Sequence, residues 1–165
     1  MKYITEFRQP LLAQALAERI KTKLQDRTYR LMEFCGGHTH TIFRYGLADL
    51  MPVQLEFIHG PGCPVCVLPA SRIEQAIKRL EISDAILCTY GDVLRVPAGG
   101  GKTLFRAKAD GADVRMVYSP LDALKISLEN PQRQVIFFAL GFETTTPPTA
   151  VVIKQAARQG LQNFS

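Results

Sequence analysis

The stretch 55-LEFIHGPGCPVC-66 decides how the chain reads. Its first half, LEFIHG, is an extended apolar pattern. Its second half is Gly-Pro-Gly followed by Cys63 and Cys66, with Pro64 between them. A strand that runs directly into a loop is the unit of a parallel α/β sheet, in which ligands gather beyond the carboxyl ends of the strands. Upstream, 30-RLMEFC-35 repeats the arrangement: it reads as a short buried strand ending at Cys35, followed by Gly36 and Gly37.

Further strands and helices alternate outward from this pair. Residues 10–24, PLLAQALAERIKTKL, place Leu12, Leu16, Ile20 and Leu24 at every fourth position, an amphipathic helix face. A helix is expected from about Thr39 to Leu50, ended by Pro52. Ser71 and Glu74 form an S-x-x-E box that predicts a helix start, with Ile73, Ala76, Ile77 and Leu80 on one side. Strands follow at 84-DAILCTY-90, 113-DVRMVY-118 and 134-QVIFFAL-140. Ser119-Pro120 with Asp122 starts another helix, since proline suits the first helical position. After 141-GFETTTPP-148 a last helix ends near Gly160.

Apolar strands alternating with helices predict an α/β fold: a mostly parallel, Rossmann-like sheet with helices on both faces. The loops 35-CGGHTH-40, 60-GPGCPVC-66, 90-YGDVLRVP-97 and 141-GFETT-145 all follow strands, so one sheet would gather them at its carboxyl edge. The 165 residues fit a single domain. The chain stops at 161-LQNFS-165, where another strand is expected, so it reads as part of a longer protein.

Composition narrows the function classes. Apolar residues make up 47% and charged residues 21%, a globular balance, and the net charge of +5 is scattered among acids. No basic run or basic–aromatic stripe marks a nucleic-acid face. No apolar run reaches the roughly 20 residues of a membrane span, and MKYITEFRQP lacks the apolar centre of a secretory signal. The expected compartment is the cytoplasm, where thiols stay reduced, so four cysteines point to metal or redox chemistry before structural bridges.

Cys63 and Cys66 are spaced to close a disulfide or grip one metal ion, or they are small buried residues in a turn. Pro64 stiffens the loop, while Pro61 and Pro69 keep helix out of it. Cys35 is followed by glycines whose N–H groups can form an anion-binding nest, and a helix start just beyond would favour a thiolate. His38, three residues on, is a candidate ligand, proton carrier or hydrogen-bond partner of the sulfur. His40 is a weaker candidate, His59 is expected to be packed, and Cys88 reads as a core residue.

Together Cys35, His38, Cys63 and Cys66 offer the donor set of a structural zinc site. The alternative divides the work: Cys35 holds a soft metal while Cys63 and Cys66 cycle between dithiol and disulfide. The run 99-GGGKT-103 tempts a phosphate-loop reading, but position 96 is valine where that pattern needs glycine, so a flexible connection is expected. Asp92 and Arg95 are placed at the shared edge. Glu143 is the acid expected to face the site; Thr144 and Thr145 beside it either join it or cap a helix start.

The motifs 33-EFCGGHTH-40, 60-GPGCPVC-66, 91-GDVLRVP-97, 110-DGADVRMVYSPLDAL-124 and 141-GFETTTP-147 resemble, in order and across nearly the whole chain, those of the HypD family of hydrogenase maturation factors. The resemblance implies a scaffold on which the Fe(CN)2CO unit of nickel–iron hydrogenase is assembled, with a small HypC-like partner and a HypE-like cyanide donor. It implies Cys35 as the iron ligand, Cys63 and Cys66 as a redox-active pair, and His38 beside the iron. Gly36, Gly37, Thr39 and Glu143 are then expected to line the bound unit. The family also carries a C-terminal four-iron four-sulfur cluster, and here no cysteine follows Cys88.

Overall fold

The computed structural model describes Thr5 and residues 8–165. The chain forms two compact units, Met1–Cys66 and Val67–Ser165. The fold is α/β, and all of its strand pairs are parallel.

The first unit opens with α1, Pro10–Leu24, whose proline sits at the helix start. Strand β1 (Tyr29–Glu33) pairs with β2 (Leu55–His59) in a parallel register running from Tyr29 opposite Leu55 to Glu33 opposite His59. Between them lie α2 (Gly36–Arg44) and the short α3 (Leu47–Leu50). The expected single helix over Thr39–Leu50 is thus two pieces. Gly46 takes a left-handed φ of 59° between them, which ends one helix and redirects the chain. Burial in this unit is sparse: among its described residues only Ala17 and Ile42 are buried, and β1, expected to be buried, is mostly exposed.

A four-residue turn, α4 (Pro64–Val67), forms within the cysteine motif and ends at the start of the second unit. Helix therefore does enter this loop, because Pro64 sits at the first helical position, where a missing N–H costs nothing. Helix α5 (Ala70–Ile82) follows and buries Ile73, Ile77 and Leu80. The Ser71–Glu74 capping box does not form: the helix begins at Ala70 with Pro69 as its N-cap. The Glu74 carboxylate instead accepts the Gly99 N–H at 2.9 Å.

The second sheet has the order β4-β3-β5, from β3 (Ile86–Thr89), β4 (Val114–Met116) and β5 (Val135–Phe138). The strands expected in one sheet divide between two. The central β3 is buried at all four residues and has both edges occupied by β4 and β5. The outer edge of β5 is taken by the final residues, where Val135 N–H reaches the Asn163 carbonyl at 2.7 Å and Phe137 N–H reaches that of Ser165 at 2.7 Å.

Between β3 and β4 a helix α6 (Leu104–Ala109), unmarked in the sequence reading, is capped by the Thr103 hydroxyl accepting from Arg106 N–H at 3.0 Å. The run 99–103 is therefore a tight turn plus a helix cap, with Gly100 and Gly101 at positive φ. Helix α7 (Pro120–Glu129) starts at Pro120 as expected, and a capping box closes it: Ser119 Oγ accepts the Leu121 N–H at 3.2 Å and the Asp122 carboxylate accepts the Ser119 N–H at 2.9 Å. Helix α8 (Thr146–Arg158) ends just before Gly160. The core gathers Ile86, Cys88, Val117, Ala123 and Val135, and a second cluster joins Leu124 of α7 to Val152 and Ala156 of α8, with Phe164 packed against both. Among the described residues no helix is long and apolar enough to cross a membrane.

Candidate functional site

The parallel pairing of β1 with β2 puts the two cysteine-bearing loops at the same end of one small sheet. Cys35 leaves β1 in extended conformation and is the N-cap residue of α2. Gly36 and Gly37, read from sequence as a nest before the helix, are its first two residues. Gly60 then continues the ladder beyond β2, donating its N–H to the Glu33 carbonyl at 2.7 Å, before the chain turns through Gly62 at φ 88° into Cys63.

The three sulfurs of Cys35, Cys63 and Cys66 lie within 4.8 Å of one another. Cys63 and Cys66 are joined as a disulfide with Cα atoms 5.2 Å apart, and the Cys66 N–H donates to Cys63 Sγ at 3.3 Å. Cys35 is a free, half-buried thiol beside them. Gly36 runs against Cys66: a Cβ placed on it would stand 3.4 Å from Cys66 Cβ and 3.5 Å from its sulfur. The glycines therefore leave the sulfurs open on the α2 side.

A carboxylate underlies the centre. Glu33 Oε1 accepts from Thr39 Oγ1 at 2.5 Å and lies 2.5 Å from His59 Nδ1, while Oε2 accepts the Cys35 N–H at 3.1 Å. The Glu33 side chain is only 11% exposed. These bonds, that of His59 foremost and then that of Thr39, hold its carboxyl below the ordinary glutamate range. His59, expected to be packed, is exposed at the sheet edge, where it bonds Glu33 on one side and its ring tilts over Phe43 with centroids 5.1 Å apart. The missed signal was an acid at the end of an apolar strand, two residues before a cysteine.

The remaining candidates divide. Thr39 belongs to the centre through Glu33 and also bonds back to the Cys35 carbonyl. His38 and His40 are exposed on α2, and neither joins the gathered sulfur group. Glu143 is exposed at the head of a tight turn after β5, in the second unit. The threonines there do not cap a helix: Thr145 Oγ1 donates to the Phe142 carbonyl at 2.6 Å. Asp92 accepts the Val93 N–H at 3.0 Å, capping the turn that follows β3. Cys88 is fully buried, and desolvation pushes its thiol up to about 11, so it stays protonated as a core residue.

Three soft donors at a water-accessible sheet end can bind a thiophilic metal when all are reduced; as a disulfide, Cys63 and Cys66 can exchange electrons in pairs. Comparison with known proteins agrees with the motifs. The family model described as HypD, hydrogenase formation hypA family, matches residues 11–165. The hydrogenase maturation factor HypD of Azotobacter vinelandii is 60% identical over all of this chain, which covers 44% of that protein. HypD2 of Bradyrhizobium diazoefficiens is 58% identical with the same coverage. HypD of Escherichia coli K12 is 50% identical over 99% of this chain and 45% of that protein. The chain thus spans somewhat under half the length of these curated relatives, and it belongs to the HypD family.

Proposed function

We propose that the chain is the thiol-bearing part of a cytoplasmic scaffold for hydrogenase maturation, on which the Fe(CN)2CO unit is assembled as cargo. The observation that supports this reading best is the gathering of Cys35, Cys63 and Cys66 within 4.8 Å at the ends of two paired parallel strands. Cys35 is the iron ligand in this proposal, because its thiol is free while the other two sulfurs are joined. A low-spin iron carrying cyanide and CO is a soft centre suited to thiolate. The remaining position would be filled by a cysteine of a HypC-like partner, with cyanide delivered through a HypE-like protein. In this reading the backbone of Gly36 and Gly37 and the side chain of His38, which follow Cys35 at the start of α2, donate hydrogen bonds to cyanide nitrogens. Cys63 and Cys66 supply or take up an electron pair, by making or breaking their S–S bond.

A four-iron four-sulfur cluster does not fit the cysteines of this chain: beyond the three gathered sulfurs stands only Cys88, buried in a core and protonated. A structural zinc site fits less well than cargo binding, since the gathered group has three sulfurs and His38 is outside it. A metal-free thiol–disulfide oxidoreductase is the second reading, favoured by the joined Cys63–Cys66 pair.

Anaerobic co-purification with a HypC-like partner tests the first reading. Bound iron and infrared bands in the CN and CO stretching region are expected, and both vanish in Cys35→Ala. Retention of the bands in that variant removes Cys35 as the ligand. Stoichiometric zinc whose chelation unfolds the chain favours the zinc domain instead.

A further inference from the structure

We propose that Glu33 is the positioning residue of the cysteine centre: its carboxylate, accepting from His59, Thr39 and the Cys35 backbone, locks the Cys35 loop to the strand end from which the Cys63–Cys66 loop departs. The proposal rests on the reading of these three cysteines as one working centre.

Three elements meet on this side chain. Glu33 is the last residue of β1 and sits directly opposite His59, the last residue of β2. Neighbouring side chains on paired strands lie close enough to bond across the sheet. Because Cys35 continues the extended conformation, residues 33 and 35 fall on the same side of the strand. The Glu33 carboxylate therefore lies alongside the cysteine's own backbone and receives its N–H at 3.1 Å. Thr39, one turn into α2, closes on the same carboxylate at 2.5 Å and fixes the helix start to the strand end. His59 lies four residues before Cys63, so its bond to Glu33 anchors the root of the second loop.

The chemistry requires a carboxylate. Three donors converge on one group, and an ionised Glu offers acceptor sites only. A glutamine would present one carbonyl oxygen and two N–H donors, so at least one of the three partners would face a donor. The anchor also matters more here than in a well-packed domain, since only Ala17 and Ile42 are buried among the described residues of this unit. Hydrogen bonds, more than packing, then hold the Cys35 loop against the loop that carries the Cys63–Cys66 pair.

The test reads thiol spacing directly and needs neither iron nor partner. The full chain, reduced anaerobically, is treated with dibromobimane, which links thiols a few ångström apart and then fluoresces. Peptide mapping separates links containing Cys35 from the Cys63–Cys66 link, which the short C-x-x-C spacing maintains as an internal reference. In the wild type both kinds are expected. In Glu33→Gln the ratio of Cys35 links to the reference should fall about tenfold, the scale of losing a charge-assisted bond, with the circular dichroism spectrum unchanged.

Thr39→Val, which removes one donor and leaves the carboxylate its other two, should lower the ratio less, by about fivefold. A wild-type ratio in folded Glu33→Gln overturns the positioning role while leaving the centre intact. Absence of any Cys35 link in the wild type overturns the centre itself, and the positioning role with it. Should Glu33→Gln fail to fold, Thr39→Val and His59→Phe carry the test: an unchanged ratio in both overturns the proposal, and a fall in both supports it.

Discussion

Replacing Gly36 by alanine separates the stability of the cysteine centre from its accessibility. Gly36 is the first residue of α2 and is not among the glycines with positive φ, so its backbone suits any residue. The added methyl would meet Cys66 Cβ at 3.4 Å and its sulfur at 3.5 Å, ordinary van der Waals distances that require nothing to move. Alanine at a compatible position stabilises by about 0.4–1 kcal/mol, chiefly by narrowing the unfolded ensemble. In a chain of this size that raises the melting midpoint by about 1–4 °C.

The same methyl stands against the Cys66 sulfur on the α2 side, where a reagent or ligand would approach. Because thiol reaction rates depend on access, alkylation of reduced Cys66 by iodoacetamide should slow by about fivefold. Gly37→Ala provides the counterpart, since its Cβ would stand 3.7 Å from Cys35 Sγ and should slow Cys35 instead. Thermal melting with peptide-resolved alkylation reads both quantities on one sample. A midpoint lowered by several degrees, or unchanged alkylation at both cysteines, would refute the reasoning.

Other perturbations test the second unit. Burial raises the Cys88 thiol from 9.0 to about 11, so its contribution is intact below pH 9 and is lost as pH climbs through 11. The loss amounts to about 3 kcal/mol, and denaturant titrations should show it in the wild type but not in Cys88→Ala. Asp113 accepts from Arg115 at 2.9 Å and from Arg133 at 2.7 Å, which holds its carboxyl below 3.8. Its stabilisation is fully present above the ordinary aspartate range and is lost as pH falls through the lower folded value, so Asp113→Asn should lower stability at neutral pH and flatten its decline in acid, as read by denaturant titrations from about pH 7 down to about pH 3. The buried Asn163 amide donates to the carbonyls of Ser127, Asn130 and Arg133 and accepts from the Ser127 hydroxyl. Asn163→Ala should cost about 3 kcal/mol in equilibrium denaturation, because these groups lose their partner.

Much of the fold was legible because its signals are local. The Ser119-Pro120-Asp122 start lies within four residues, and the structure forms it as a capping box. Apolar runs marked β3 and β5 for the same reason. Sheet membership was not legible: it depends on which distant strand occupies an edge, and β4 with β5 had already filled both sides of β3. The Glu74 side chain shows how a local pattern loses to a distant one, since the Gly99 N–H took the carboxylate from its helix start. At the site, strand-then-loop placement was enough to bring Cys35 to Cys63 and Cys66. The Glu33–His59 bond joins residues 26 apart, and nothing short of the β1–β2 register could reveal it.

That register carries a consequence for tolerated sequence change. A five-residue strand spans about 16 Å, so were β2 to run the other way, its outgoing loop would depart from the far end and the sulfurs could never meet. Insertions between Gly46 and Gln54 lengthen a connection and leave the strand ends alone. One residue added inside β1 or β2 slides a cysteine loop by about 3.3 Å and turns its side chains to the opposite face. Length variation among working versions of this chain should therefore gather in the crossover and avoid the ten paired residues.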